Sequence, residues 1–168
     1  GSLYQWGRYS DGHELINYID TFIGSSKYGT TDIKALSNVT DNSMFITGSI
    51  SPFDWLNSQD DYLWQGESGI NNPCPKGYRL PTEQEIHSIL VTEEIADNKD
   101  AVNSFLALSS GGYRSNCENS IKNIGDRGCY WTDSTVNDFT RYTYFDNNGS
   151  NLLASLRGNS FNVRCIKD

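Results

Sequence analysis

The residues of this chain that could ligate a metal or do redox chemistry are four cysteines and two histidines. The cysteines are Cys74, Cys117, Cys129 and Cys165. Zinc sites usually draw on closely spaced ligand pairs, but the chain has no C-x-x-C motif, and His13 and His87 lie far apart. We therefore expect no metal and no cofactor. The even number of cysteines instead indicates two disulfides formed in an oxidising compartment, and the residues alone leave three pairings open.

Hydrolytic chemistry would need a histidine beside a nucleophile or a pair of working carboxylates. His13 lies in the loop-like segment "DGHE", and His87 is four residues after Glu83 on a predicted helix, a spacing typical of a surface pair. The acidic pairs at 60–61 and 93–94 are typical of solvated carboxylates. We expect the chain not to be an enzyme.

Charge and composition narrow the class of partner. The 168 residues include 13 basic and 21 acidic side chains, for a net charge of −8. Proteins that bind nucleic acid usually present a basic face, so we expect no nucleic-acid partner and no docking on anionic lipid. No apolar run approaches the roughly 20 residues of a membrane span. The abundance of glycine, tyrosine and small polar residues predicts a loop-rich domain displayed outside the cell.

The stretch "NNPCPKGYRLPTEQE" (71–85) predicts a sharply started helix. Thr82 and Glu85 have the spacing of a capping box, in which each side chain satisfies a free backbone N–H group. Pro81 disfavours helix in the residue before it. Apolar residues at 86, 89 and 90 then recur at helical spacing, so we predict a helix over 82–91.

Most of the remaining elements are predicted to be strands. The turn "NNGS" between "TYFD" and "NLLASL" is the strongest hairpin signal. A further helical or extended piece is expected around 101–108, and a helical turn near 33–36. The predicted strands are 3–9, 44–50, 111–115, 129–134, 141–145 and 161–168. One domain spanning 1–168, with a helix followed by several antiparallel strands, is of the α+β class.

Four blocks in this order resemble the Fibrobacter succinogenes major paralogous domain family. They are "CPKGYRLPTEQE", "GGYRS", "GCYWTDST" and "FNVRCIKD", and together they cover about residues 71–168. The resemblance implies a C-type-lectin-like fold, in which the N- and C-terminal strands pair and a loop-rich lobe carries the binding surface. It also implies a disulfide from Cys74 to Cys165. Cys117 and Cys129 lie outside the family pattern, and we expect them to form a second disulfide around a polar loop.

The resemblance gives little support to enzyme or calcium chemistry. Sulfatase-activating enzymes of similar fold use a cysteine pair near the C-terminus, whereas Cys165 is alone there. The calcium-dependent sugar site of C-type lectins needs E-P-N or Q-P-D together with W-N-D. This chain has neither of the first two motifs, and "VND" at 136–138 is its nearest equivalent of the third.

The interval 132–164 has a compositional bias, because it contains no Lys, Glu, Gln, Met or Trp. No codon ending in a pyrimidine encodes these five residue types. Proteins diversified by retroelements through adenine mutagenesis vary asparagine codons of that form in the C-terminal part of a C-type-lectin-like domain. The interval is rich in Asn, Asp, Tyr, Ser and Arg, as antibody combining sites are. An ordinary polar hairpin region would also lack long charged side chains, so both interpretations stay open.

We therefore predict an extracellular adhesion module, on a bacterial surface or a phage tail tip, that recognises a protein or glycan receptor. The alternative is a structural or assembly domain, such as a fimbrial subunit that contacts only its own kind, and a homo-oligomer is compatible with either. Trp131 is expected in the core, and only half of the candidate contacts can face one partner. The candidate contacts are Asp133, Thr135, Asn137, Asp138, Arg141, Tyr142, Tyr144, Asn147, Asn148, Asn151, Arg157 and Asn159.

Overall fold

The structure is a computed structural model that describes residues 1–19, 24–48 and 50–168. Its fold is mixed α+β, with two short helices and strands distributed over several small sheets. The helices are α1 (Glu83–Thr92) and α2 (Asn98–Asn103). The strands are β1 (Tyr4–Gln5), β2 (Thr30–Thr31), β3 (Phe45–Ile46), β4 (Tyr78–Arg79), β5 (Tyr113–Arg114), β6 (Ile121–Lys122), β7 (Gly128–Val136), β8 (Phe139–Asp146), β9 (Gly149–Leu156), β10 (Ser160–Phe161) and β11 (Ile166–Lys167).

Four sheets organise these strands. The sheet with the longest strands is the antiparallel meander β7-β8-β9, and a four-stranded sheet has the order β1-β10-β5-β6. β4 pairs antiparallel with β11, and β2 pairs parallel with β3. Strands from the two ends of the chain therefore meet, because Tyr4 in β1 lies opposite Phe161 in β10.

The meander confirms the predicted hairpin. Asp146 pairs with Gly149 across the turn, and Asn148 N–H is capped by the Asp146 carboxylate at 2.8 Å. β7 and β8 are joined at Asn137, whose φ of 51° is the left-handed conformation that asparagine tolerates. Gly128 begins β7 without a side chain because Phe145 packs over it, and a Cβ there would lie 2.1 Å from the phenyl ring.

The meander separates two buried clusters. Its helix face, which includes Tyr130 and Phe145, packs on Ile86 of α1 and on Ala101 of α2. The opposite face, which we call the open face, carries Trp131, which joins a cluster of buried aromatic and aliphatic residues from the N-terminal half of the chain. Trp131 is fully buried, as predicted.

The predicted capping box of α1 is confirmed. Glu85 N donates to Thr82 Oγ1 at 3.2 Å, and Thr82 N donates to Glu85 Oε2 at 2.8 Å. The same carboxylate is held by Arg79, whose Nη1 and Nη2 each lie 2.8 Å from a Glu85 oxygen. Arg79 Nε also donates to Asp168 Oδ1 at 2.6 Å. One guanidinium thus links the start of α1 to the C-terminal residue.

The disulfide between Cys74 and Cys165 is present and joins residues 91 positions apart. The predicted Cys117–Cys129 disulfide is wrong, because both cysteines are free. Cys129 points into the core from β7. Cys117 is exposed on a turn anchored by Asn116, whose Nδ2 donates to the Gly48 carbonyl at 2.8 Å. The β5–β6 pairing instead closes the segment 115–120, which contains Cys117 but not Cys129.

Several predicted elements are shorter than expected. The strand predicted at 3–9 is reduced to β1, and the strand predicted at 161–168 is split into β10 and β11. No helical turn forms at 33–36. The strand predicted at 44–50 is reduced to β3, and residue 49 lies outside the described residues. Tertiary packing of aromatic side chains, rather than strand pairing, fixes the chain in these regions.

The Cys74–Cys165 bridge should stabilise the folded chain. Because it closes a loop with a sequence separation of 91, replacing both cysteines by serine should lower the free energy of unfolding by about 4.5 kcal/mol in the chain-entropy model. Urea unfolding of the oxidised protein and of the double variant measures this loss.

Cys117→Ser is the control, because an exposed free thiol should change stability by no more than about 0.5 kcal/mol. Peptide mapping by mass spectrometry should find one bridge and two free thiols. Recovery of a Cys117–Cys129 peptide would contradict the structure.

Candidate ligand-binding site

The twelve predicted contacts do not form one surface, because alternate residues of a strand point to opposite faces. Tyr142, Tyr144 and Asn151 lie on the open face of the meander. Tyr144 is the cross-strand neighbour of Cys129 on one side and of Asn151 on the other. Tyr142 likewise lies between Trp131 and Leu153. Asn159, just beyond β9, joins this face by donating from Nδ2 to Ser155 Oγ at 2.8 Å.

Arg141 and Asp133 are placed elsewhere. Arg141 points to the helix face, where its Nε lies 3.4 Å from Glu83 of α1. Asp133 is buried next to the start of α1, and its backbone N–H donates to the Pro81 carbonyl at 3.0 Å. Burial raises the pKa of the Asp133 carboxyl, against a hydrogen bond from Ser134 that lowers it. Neither side chain is available to a partner of the open face.

Arg157 is a structural residue rather than a surface contact. It is 1% exposed, and its guanidinium lies 5.0 Å from the centre of the Trp6 ring. It forms an ion pair with Asp61 and donates to the backbone carbonyls of Asp60 and Asn137 at 3.1 and 3.0 Å. The side chain therefore ties the 53–64 segment to the β7–β8 turn.

The remaining candidates lie at the two ends of the meander. Asn137 and Asp138 are exposed at the β7–β8 turn, with Thr135 half-buried beside it, whereas Asn147 and Asn148 are exposed at the β8–β9 turn. β8, an eight-residue strand, separates these turns, a span of roughly 25 Å at about 3.3 Å per residue. A small ligand cannot touch both turns, and only a macromolecular surface could.

A pocket of about 160 Å³ opens where the open face meets β5 and β10. Predicted contacts Tyr142 and Asn159 line it together with Ser155. Sequence reasoning missed its other walls, which come from three separate parts of the chain. These are Tyr113, Arg127, Cys129 and Phe161.

Aromatic packing fixes the floor of the pocket. The Tyr142 ring lies 4.5 Å from that of Phe161, which stacks on Trp131 at 4.1 Å. Tyr113 meets Phe161 edge-on at 6.0 Å. Since Trp131 and Phe161 are buried, Tyr113 and Tyr142 pack against fixed neighbours, and both side chains line the pocket.

The charged side chain that lines the pocket is neutralised by an ion pair. Arg127 Nη2 lies 2.9 Å from Asp146 Oδ2, and its guanidinium lies 5.1 Å from the centre of the Tyr144 ring. Burial raises the pKa of Tyr142 to about 12 and that of the Cys129 thiol to about 12. Both groups are therefore protonated at neutral pH, and Cys129 is not an activated nucleophile. The site can offer hydrogen bonds and aromatic surface.

A wider depression of about 440 Å³ lies between Leu36 and Tyr62. Its acidic side chains already have partners: Asp61 pairs with Arg157, and Asp60 Oδ1 accepts the Tyr62 N–H at 2.9 Å. We therefore interpret this depression as a consequence of how the 53–64 segment is anchored, and not as a candidate site.

The cluster of Asp11, His13 and Glu14 has side chains of the types that bind metals. His13 Nδ1 lies 2.7 Å from Asp11 Oδ1, and its Nε2 accepts the Gln5 N–H at 3.1 Å. Both ring nitrogens are thus used within the protein, which leaves no lone pair for a metal ion. Burial lowers the His13 pKa to about 4, against the hydrogen bond that His13 donates to Asp11, which raises it. The cluster positions β1 and has no role in the candidate site.

Comparison of the chain with protein-family models, with curated proteins and with solved structures finds no match. Among the described residues, neither helix has the length and hydropathy needed to cross a membrane.

Buried neutral His13 predicts a pH-dependent stability. Its pKa is about 4 in the folded chain and about 6.5 when unfolded, so the unfolded chain binds the proton first as the pH falls. This contribution is fully present above about pH 6.5 and is lost as the pH falls towards 4. Between pH 7.5 and 5.0 we expect the wild type to lose about 2 kcal/mol more unfolding free energy than His13→Gln.

His87→Gln is the matched control, because His87 is exposed on α1, and its loss on acidification should equal that of the wild type. Asp54 changes the unfolding free energy in the opposite direction on acidification, because burial raises its pKa to about 6. All three proteins contain Asp54, so its contribution cancels when their losses are compared. Equal losses in the wild type and His13→Gln, measured by urea unfolding, would show that His13 is not held neutral.

Proposed function

We propose that this chain is an extracellular ligand-binding module of C-type-lectin-like fold that recognises a cell-surface protein or glycan through the open face of its meander. The observation that carries the proposal is the combination of a rigid aromatic floor with a small polar pocket on a partly exposed face of the sheet. Rigid tyrosines surrounded by adaptable Asn and Ser side chains are typical of surfaces that bind macromolecules.

The arrangement of the chain ends supports the fold part of the proposal. β1 pairs with β10, and the first and last of the four blocks used for the family resemblance meet at the Cys74–Cys165 bridge. β4 and β11, from the same two blocks, are hydrogen-bonded neighbours. A disulfide in the frame also favours an oxidising location outside the cell.

Binding is favoured over catalysis by the chemistry of the pocket. Its cation, Arg127, is paired with Asp146, and its thiol has a raised pKa. Among the described residues, no histidine or free carboxylate lines the pocket to act as a general base. The groups that are present can orient a ligand but do not activate one.

Diversification of the open face is part of the proposal. The biased interval 132–164 contains most of the meander, and its open-face side chains are supported from below by Trp131 and Phe161. Exchanging exposed side chains on such a frame changes stability little, so the surface can vary while the fold is kept.

The proposed function predicts that an open-face tyrosine is needed for binding. Tyr144 lies beside the pocket under Arg127, and Tyr144→Ala should weaken binding of the fluorescently labelled protein to its target about tenfold, as expected of an aromatic anchor. Panels of intact bacterial cells and an immobilised glycan array are the surfaces to screen. Tyr62→Ala is the control, since Tyr62 is 76% exposed and lines the other depression and not this pocket.

An equal effect of the two variants, or saturable binding that neither variant weakens, would contradict an open-face site.

The edge strand of the meander would then favour the second candidate function, an assembly domain. β9 forms the edge of the meander, and its sequence "GSNLLASL" has neither a charge nor a proline to discourage pairing with another strand. Oligomers in sedimentation velocity that Ala154→Lys dissociates would support that candidate.

Diversification predicts a pattern of substitutions that alternates along two strands. Sequencing the same locus in sister strains should find changes concentrated at open-face positions and rare at helix-face positions of the same strands, which serve as internal controls. The open-face positions that can vary are Tyr144, Asn151, Leu153 and Ser155, around Tyr142 as a fixed anchor, and the helix-face positions are Arg141, Thr143, Phe145 and Leu152. Substitutions spread evenly over both sets would show that the codon bias is unrelated to recognition.

A further inference from the structure

We propose that the pocket on the open face binds one neutral sugar unit of a glycan, in a calcium-independent way. This inference rests on the proposed function and specifies the ligand of the same site. It is argued from the size of the pocket, the hydrogen-bonding groups that surround it and its charge balance.

Size excludes a large ligand. Pockets that enclose drug-sized molecules usually have about 300 Å³ or more, whereas this pocket has about 160 Å³. It can accept a single ring or a single side chain that belongs to a larger partner. The rest of that partner would then lie along the exposed rows of Tyr144, Asn151 and Leu153.

The hydrogen-bonding groups favour a sugar over a side chain. Tyr113 and Tyr142 line the pocket, and their hydroxyls make no hydrogen bond with any other residue that the structure describes, so each can donate and accept. Ser155 Oγ accepts from Asn159 and still has its own proton to donate. Vicinal hydroxyls of a pyranose match several such groups at once, whereas an uncharged protein side chain carries at most one hydroxyl or amide.

Aromatic surface complements the polar rim. Half-buried Tyr142 presents its ring at the pocket and is supported by buried Phe161, 4.5 Å away between ring centres, and Tyr113 closes the side at 6.0 Å from Phe161. The C–H face of a pyranose can pack on such a surface while its hydroxyls reach the rim. The positions are fixed by buried Trp131, so little ordering is required on binding.

The charge balance favours a neutral sugar over an acidic one. The positive charge nearest the pocket, on Arg127, lies 2.9 Å from Asp146, so that pair has no net charge. The chain as a whole carries −8, which repels anionic ligands at long range.

The test uses the methyl glycosides of glucose, galactose and mannose as neutral probes. Saturation-transfer NMR should show binding of at least one of them to the intact, oxidised protein, with a dissociation constant of about 1 mM, the range of a weak single-site ligand. EDTA should leave the binding unchanged. Tyr142→Phe, which keeps the ring and removes the hydroxyl, should weaken it about fivefold, and Tyr62→Phe should have no effect.

Three results would overturn the inference: no saturable binding of any neutral glycoside, tighter binding of glucuronate than of the neutral probes, or binding that Tyr142→Phe does not alter. Saturable binding of the amino-acid amides of leucine or tyrosine in place of sugars would identify a protein partner. These failures are distinct from failure of the proposed function, since Tyr144→Ala would still reduce binding to cells if the open face recognised a different ligand.

Discussion

The covalent bond between Cys74 and Cys165 holds together the two segments on which the meander depends. It fixes the last residues of the chain beside the start of α1, where Arg79 adds ionic contacts to Glu85 and Asp168. These ion pairs are partly exposed and contribute little on their own, so the bridge dominates. Because α1 packs on the helix face of the meander, the clamp determines which face is covered and which is open.

Indole hydrogen bonds provide the second constraint, in a chain with little regular secondary structure. Trp6 Nε1 donates to the Thr132 carbonyl at 2.9 Å, Trp55 Nε1 to the Trp6 carbonyl at 2.7 Å, and Trp131 Nε1 to the Tyr4 carbonyl at 2.7 Å. Each bond satisfies a buried backbone group that strand pairing would otherwise satisfy. The three side chains thereby connect β1, the 53–64 segment and β7. This explains how long irregular segments pack tightly on a small sheet.

Local signals in the sequence were sufficient to predict the capping box of α1 and the β8–β9 hairpin, since these features involve neighbouring residues. The Cys74–Cys165 bridge could be predicted only through the family resemblance. Two of the seven residues that line the pocket, Tyr142 and Asn159, were predicted as contacts, but Tyr113 and Arg127 join them through tertiary packing that has no local signal. Arg157 was misplaced because a charged side chain is seldom buried, and here ionic and backbone contacts compensate for its desolvation.

The burial of the side chains along β8 and β9 limits which positions of the proposed site can be exchanged. Asn151 and Leu153 are exposed on β9, the edge strand, and nothing in the core depends on their shape. Tyr142 is different, because its ring packs on Phe161 and on Trp131, so loss of the ring would open a gap in the aromatic floor. A surface built in this way can exchange its outer side chains only around a fixed central anchor. Under the proposal, the outer positions would determine which partner binds, while the central tyrosine would supply the contact common to all of them.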